Sequence, residues 1–160
     1  MASGAHFSRD RRYRYALSRS WDTTLPTVLF VGLNPSVADE SFNDPTITRC
    51  INFARDWGYG GVCVANLFAY CATYPTDLRQ AQNPVGRGNN QWLQKLSAEA
   101  GLTVAAWGND GRFMARAKSV CKLLPEMHCL AVNKSGEPAH PLYQRASTVA
   151  VPYCRDQSLA

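Results

Sequence analysis

The chain has 160 residues, 46% hydrophobic and 18% charged, with a formal net charge of +5 at neutral pH. That length predicts a single domain over 1–160 with a core of its own, and no apolar run approaches the roughly 18 residues of a membrane span. The six cysteines (50, 63, 71, 121, 129 and 154) form no CxxC pair, which argues against a disulfide framework and against a clustered metal or iron–sulfur site.

The start, MASGAHFSRDRRYRYALSR, carries charge with no apolar stretch after it, so no secretory signal is expected. With scattered cysteines that read as reduced core thiols, this points to a cytoplasmic protein. Arginine supplies 13 of the 17 basic residues, and Arg9, Arg11, Arg12, Arg14 and Arg19 fall in the first 20 positions. Residues 1–22 read as a basic arm or hairpin, with a strand in RYRYALSRSW (12–21). Arginines interleaved with Tyr13 and Tyr15 suit phosphates and stacked bases. They equally suit a charged strand edge that resists aggregation.

An α/β core is expected over 27–145. The first core strand is TVLFVGL (27–33), leading into Asn34-Pro35-Ser36. Asp44 and Pro45 then open a helix. Ile47, Cys50, Ile51 and Ala54 form its apolar stripe, and Gly58 stops it. The second strand, 61–67, delivers Asn66 and FAYCATYP. Residues 70–88 read as loop with a short helix near 76–82. A helix over 89–100 ends at Gly101. The third strand, 102–107, leads into Asn109-Asp110-Gly111. A helix over 110–124 has Phe113, Ala117, Val120, Cys121 and Leu124 inward, and Pro125 stops it. The fourth strand, 127–132, leads into NKSGEPAHPLY. STVAVPY (147–153) is a last edge strand or an extended tail.

Strands alternating with helices predict a parallel sheet covered on both faces. Loops leaving the carboxyl ends of such strands gather along one edge, where ligands bind. Asn34, Asn66, Asn109 and His140 are therefore expected to face one pocket. Asn66 is a buried amide that needs partners and can pair with a base edge. The imidazole of His140, stiffened by Pro138 and Pro141, can donate to a developing oxyanion. Leu142 and Tyr143 can wedge into a base stack. Asp44 reads as a helix cap, and Asp39 as a loop acid free to order a water. No phosphate-binding glycine motif is present.

GLNPS, NLFAY and HPLY, each following a strand, resemble the three active-site motifs of the uracil-DNA glycosylase superfamily. GLNPS is similar to the first motif of its mismatch-specific branch. An Asn stands at position 34, where the strongest uracil excisers carry an Asp. The chain also resembles a bacterial and phage domain family of unknown function. The residues that carry this are Arg14 to Trp21, LNPSVAD (33–39), DPTITRC (44–50), WGYGG (57–61), NLFAYCAT (66–73) and HPLY (140–143).

The superfamily resemblance implies a three-layer α/β/α fold with a four-stranded, mainly parallel central sheet. It implies base flipping and N-glycosidic hydrolysis of uracil or a modified pyrimidine in DNA. Asn34, aided by Asp39, would orient the water, and His140 would stabilise the leaving base. Asn66 would read the base edge, with Phe42 or Phe68 stacked on its face. Arg12 and Arg14 would hold phosphates, and Pro141, Leu142 and Tyr143 would enter the minor groove. A monomer acting on DNA without metal, organic cofactor or membrane is expected. Two rivals remain: a non-catalytic reader of nucleotides or modified bases, and a small-molecule hydrolase with Cys71 or Ser36 as nucleophile.

Overall fold

The computed structural model describes residues 1–153. The strands are β1 (Ala2–Phe7), β2 (Arg14–Ser20), β3 (Thr27–Gly32), β4 (Gly61–Asn66), β5 (Leu102–Ala105), β6 (His128–Cys129) and β7 (Val151–Pro152). They form one sheet in the order β1-β2-β4-β3-β5-β6-β7. The four expected core strands lie side by side, and β4, β3, β5 and β6 pair in parallel. The sheet is nevertheless mixed and seven-stranded, not four-stranded. The β1–β2 hairpin pairs antiparallel with β4 on one side, and β7 pairs antiparallel with β6 on the other. These additions pair backbone groups that the parallel core would otherwise leave open. His6 lies in β1, and its ring packs 4.8 Å from that of Trp92.

Both faces of the core strands are buried, which is why they read as continuous apolar runs. From β3, Leu29 and Val31 enter one cluster with Leu78, Leu93 and Val120. Val28 and Phe30 enter a second cluster with Ile47, Ile51 and Phe53. The helix α1 (Pro45–Asp56) therefore covers one face. The other face is covered by α2 (Pro75–Gln80), α3 (Asn89–Glu99) and α4 (Arg116–Leu123). Asp44 caps α1 as expected: a side-chain oxygen accepts from the Ile47 amide at 2.9 Å. None of the helices among the described residues is long and apolar enough to cross a membrane.

Three local expectations are corrected. The helix expected over 110–124 is divided: Asn109–Ala115 forms a 3₁₀ turn, and α4 starts only at Arg116. Phe113 is extended, and Met114 and Ala115 adopt left-handed angles (φ 58° and 52°), at a cost of about 1–2 kcal/mol per residue. The break sets Phe113 against Phe68, with ring centroids 5.4 Å apart. It also lets Arg116 Nε donate to the Leu67 carbonyl at 2.8 Å. The fourth strand shortens to His128–Cys129 because the chain then turns to bridge Val132 with Pro138.

The third correction concerns β2. His6 pairs with Ala16, but Phe7 pairs with Arg14, so Tyr15 has no partner across the hairpin. Such a bulge shifts the alternation of side chains by one. Arg14 thereby joins Leu17 on the face toward α1, where both line the cavity described next. Strict alternation would have placed them on opposite faces.

Candidate functional site

A cavity of about 460 Å³ opens at the carboxyl ends of β3, β4 and β5. That volume falls within the roughly 300–1,000 Å³ typical of small-molecule sites. Asn34, Asn66, Asn109 and His140 all line it. Four loops thus bring to one place residues spread over more than a hundred positions, at the strand-end crevice where open α/β sheets bind ligands.

Asn66, the last residue of β4, is only 3% exposed. Its Nδ2 has no hydrogen-bond partner. Its backbone is clamped from below: Asn89 Nδ2 donates to the carbonyls of Asn66 and Leu67 at 3.0 and 3.1 Å, and Arg116 shares the Leu67 carbonyl. Burial brings the Arg116 pKa down to about 10. A Cβ at Gly32 would come within 2.9 Å of Asn66 Oδ1, so the neighbouring strand leaves the space this amide occupies. An ordered but unpartnered buried donor is unusual in a folded protein and suits a ligand acceptor.

Asn34 presents the opposite polarity. Its Nδ2 donates to the Pro35 and Ala72 carbonyls at 3.1 and 2.8 Å. The group left for the cavity is the acceptor Oδ1. Asn109 Oδ1 accepts from Asn133 Nδ2 at 2.9 Å and Ser135 Oγ at 2.7 Å. It ties the loop after β5 to the turn that precedes His140.

His140 caps a 3₁₀ turn, Pro141–Tyr143, and its Nδ1 accepts from the Leu142 amide at 3.2 Å. In the neutral ring the proton is then on Nε2, which makes Nε2 a donor. The segment is held by Ala139 N donating to the Ala131 carbonyl and Gly108 N to that of Pro138. Burial lowers the His140 pKa, opposed by the charge of Asp44. Protonation is therefore harder in the folded than in the unfolded chain. The stability that neutral His140 contributes is present above its unfolded pKa of about 6.5 and lost as pH falls through the lowered folded value. Denaturant unfolding at neutral and mildly acidic pH checks this: His140→Gln should lose less stability on acidification than the wild type. Equal losses would contradict a neutral imidazole held by burial.

Other nominated residues lie elsewhere. Asp39 does not line the cavity. Its Oδ1 accepts from the Ser41 and Phe42 amides and the Ser41 hydroxyl, chiefly the backbone bonds that lower its pKa. It is a turn-former, and the free carboxylate read from the sequence is not free. Phe42 is half-exposed outside the cavity, and Phe68 is fully buried in the core. Neither ring offers a face to a bound base. Arg12 is exposed and sits 3.8 Å from Asp10. Arg14 is buried, so it is no surface phosphate contact. Arg19 is buried too: it holds the loop near Asp39 through Asn43 Oδ1 and the Phe42 carbonyl. Pro141 and Tyr143 line the cavity, with Tyr143 83% exposed, while Leu142 is a partly exposed neighbour.

Sequence reasoning missed two walls. Asp44 lines the cavity as well as capping α1. Trp107 lines it too, with its indole N–H donating to Glu137 Oε1 at 3.0 Å and Glu137 fully buried. A Cβ at Gly111 would fall 2.2 Å from the Trp107 ring, so only glycine lets the 3₁₀ turn pack there. An acid at a helix cap and a tryptophan at a strand end were the available signals.

The small-molecule hydrolase finds no support in this geometry. Cys71 lies outside the cavity, and burial raises its thiol pKa. Ser36 lines the cavity, but His140 Nδ1 is occupied by the Leu142 amide. Cysteines 50, 63, 71 and 129 are free thiols, and Cys154 lies outside the described residues. Among the described residues no cluster of three His, Cys, Asp or Glu side chains could hold a metal ion.

An α/β protein with a cavity at its strand ends, apolar-walled with a few converging polar groups, is thus defined. Residues 14–142 match the family model described as "Protein of unknown function (DUF1643)", and the chain belongs to that family. No curated protein and no solved structure matches the chain.

Proposed function

We propose that the cavity receives a uracil or modified pyrimidine flipped out of DNA, and that the protein hydrolyses its N-glycosidic bond. The observation that carries this reading is the convergence of Asn66 Nδ2, Asn34 Oδ1 and His140 on one cavity from three separate loops. Asn66 Nδ2 donates to a base oxygen. As the C–N bond breaks, its electron pair moves onto the base. His140 Nε2–H donates to the base oxygen where that charge grows. Water adds to the sugar C1′, oriented by Asn34 Oδ1. Asp44, in place of Asp39, accepts the water's proton. The base leaves as its anion and takes up a proton from solvent while Asp44 returns its own to solvent, so the products are a free base and an abasic site. Trp107 and Phe30 form the apolar wall beside the base. Tyr143 and Leu142 project at the rim, where they can fill the gap in the stack.

A panel of oligonucleotides carrying uracil and modified pyrimidines, followed by alkaline cleavage, tests this reading. Strand scission at one modified position is expected. A panel that binds but is never cleaved would favour the second reading, a non-catalytic reader. The specific observation on that side is that Asn34 is an amide and Asp39 is committed to its turn.

DNA affinity should fall with salt by about 0.9 log units per log unit for each phosphate neutralised on a duplex. Arg12→Ala should flatten that slope by about one phosphate's share. An unchanged slope would leave the hairpin turn at residues 8–13 as a charged edge only.

A further inference from the structure

Arg14 is a buried cation in no direct ion pair among the described residues, although the charge of Asp44 across the cavity acts on it. It is 4% exposed, and Nη1 donates to the Ala38 carbonyl at 3.0 Å. Its Nε has no partner. Among the described residues no ion pair includes it. Desolvation lowers its pKa, but a guanidinium starts so high that it stays charged. Arg19 is the useful contrast. Equally buried, it reaches Asn43 Oδ1 and the carbonyls of Ser18, Asp39 and Phe42. Arg19 is satisfied by the protein, and Arg14 is not.

Buried charges are costly unless paired and hydrogen-bonded. Arg14 lines the cavity, so its missing partner has a place to arrive. Asn66 Nδ2 is a second unpartnered buried donor on the same cavity. The two sit on neighbouring strands, since β2 pairs with β4 and the Arg14 amide donates to the Ala69 carbonyl. The β2 bulge is what brings Arg14 to this face. The other charged groups on the cavity, Asp44 and Asp110, are acids. Asp110 disfavours an anion on its side of the cavity, and Asp44, whose charge also acts on Arg14, leaves the guanidinium as the one cationic group among the described residues that an anion can meet there.

We infer that the cavity is built for a pyrimidine carrying an anionic group, with the anion set against Arg14 and a ring oxygen accepting from Asn66. This rests on the cavity receiving a pyrimidine, as proposed above, and is independent of whether the glycosidic bond is cut. The anion is either a carboxylate on the ring or the 5′-phosphate of a pyrimidine nucleotide.

Isothermal titration calorimetry with five probes separates these. The probes are uracil, 5-carboxyuracil, its neutral 5-carboxamide, uridine and uridine 5′-monophosphate. A charge-assisted pair should favour the anionic member of one couple by about tenfold or more. Carboxylate over carboxamide assigns the anion to the ring, and monophosphate over uridine assigns it to the nucleotide. Arg14→Gln should abolish that preference, and Arg14→Lys should restore part of it. Should Arg14→Gln not fold, the two couples measured on the wild type decide alone. Equal affinities within both couples, or no binding of any probe, overturn the inference. Base release with no anion preference would sink only this inference. An anion preference without base release would sink only the hydrolysis.

Discussion

His140→Ala is expected to slow base release by about 10²–10³-fold, the usual loss for one oriented donor to a developing oxyanion. DNA affinity should stay nearly unchanged, because the charge that Nε2–H meets exists mainly in the transition state. The ring also holds the Leu142 amide, so the variant should lose stability as well, by about 1 kcal/mol for one hydrogen bond. The remaining contacts of residues 138–139 to Gly108 and Ala131 are backbone bonds that the substitution leaves intact. Single-turnover kinetics, DNA titration and thermal unfolding on the same preparation separate these effects. Wild-type cleavage by the variant would remove His140 from the chemistry. Asn66→Ala should behave differently: Asn66 contacts the base before bond breaking, so rate and base selectivity should fall together.

Glu137→Ala is expected to cost roughly 2–4 kcal/mol of stability, from an orphaned buried indole N–H and the space the side chain leaves. Glu137 is fully buried, accepts from Trp107 Nε1 and lies 3.8 Å from Arg112 Nε. Its loss should also release the Trp107 wall, so ligand affinity at the cavity should fall even where the fold survives. Urea unfolding measures the first effect. A midpoint equal to that of the wild type would mean that the buried carboxylate does not hold the tryptophan.

The strand ends were legible because each core strand is a continuous apolar run closed by a polar, turn-rich cluster. That pattern alone places Asn34, Asn66, Asn109 and His140 on one edge of a parallel sheet, and all four line the cavity. The cap at Asp44 was legible from Asp-Pro before a periodic stripe, yet its place on the cavity wall was not. A cap is a local signal, whereas a wall depends on where the helix starts relative to the sheet.

Arg14 shows the limit most clearly. Its charge and tyrosine neighbours suggested a surface arm, but one unpaired residue, Tyr15, rotates it inward. No period-2 reading detects such a bulge. Asp39 and Phe68 failed for related reasons. Asp39 is consumed by amides two and three residues ahead, a local competition that resembles an unoccupied loop acid in sequence. Phe68 lies two residues beyond the cavity-lining Asn66, but its ring turns to the opposite cluster, against Phe113. The hairpin at 1–22 and the edge strand in 147–153 were among the readings the sequence offered, but the Trp107–Glu137 pair depends on contact between distant segments, which leaves no periodicity to read.

Mass spectrometry of both products from a modified-pyrimidine oligonucleotide, with wild-type protein and the His140→Ala variant side by side, tests the central claim most directly. Hydrolysis at the cavity predicts a free base and a strand that has lost that base and gained one water, formed by the wild type and nearly absent with the variant. An intact strand bound by both proteins, or a released base formed equally by both, would contradict it.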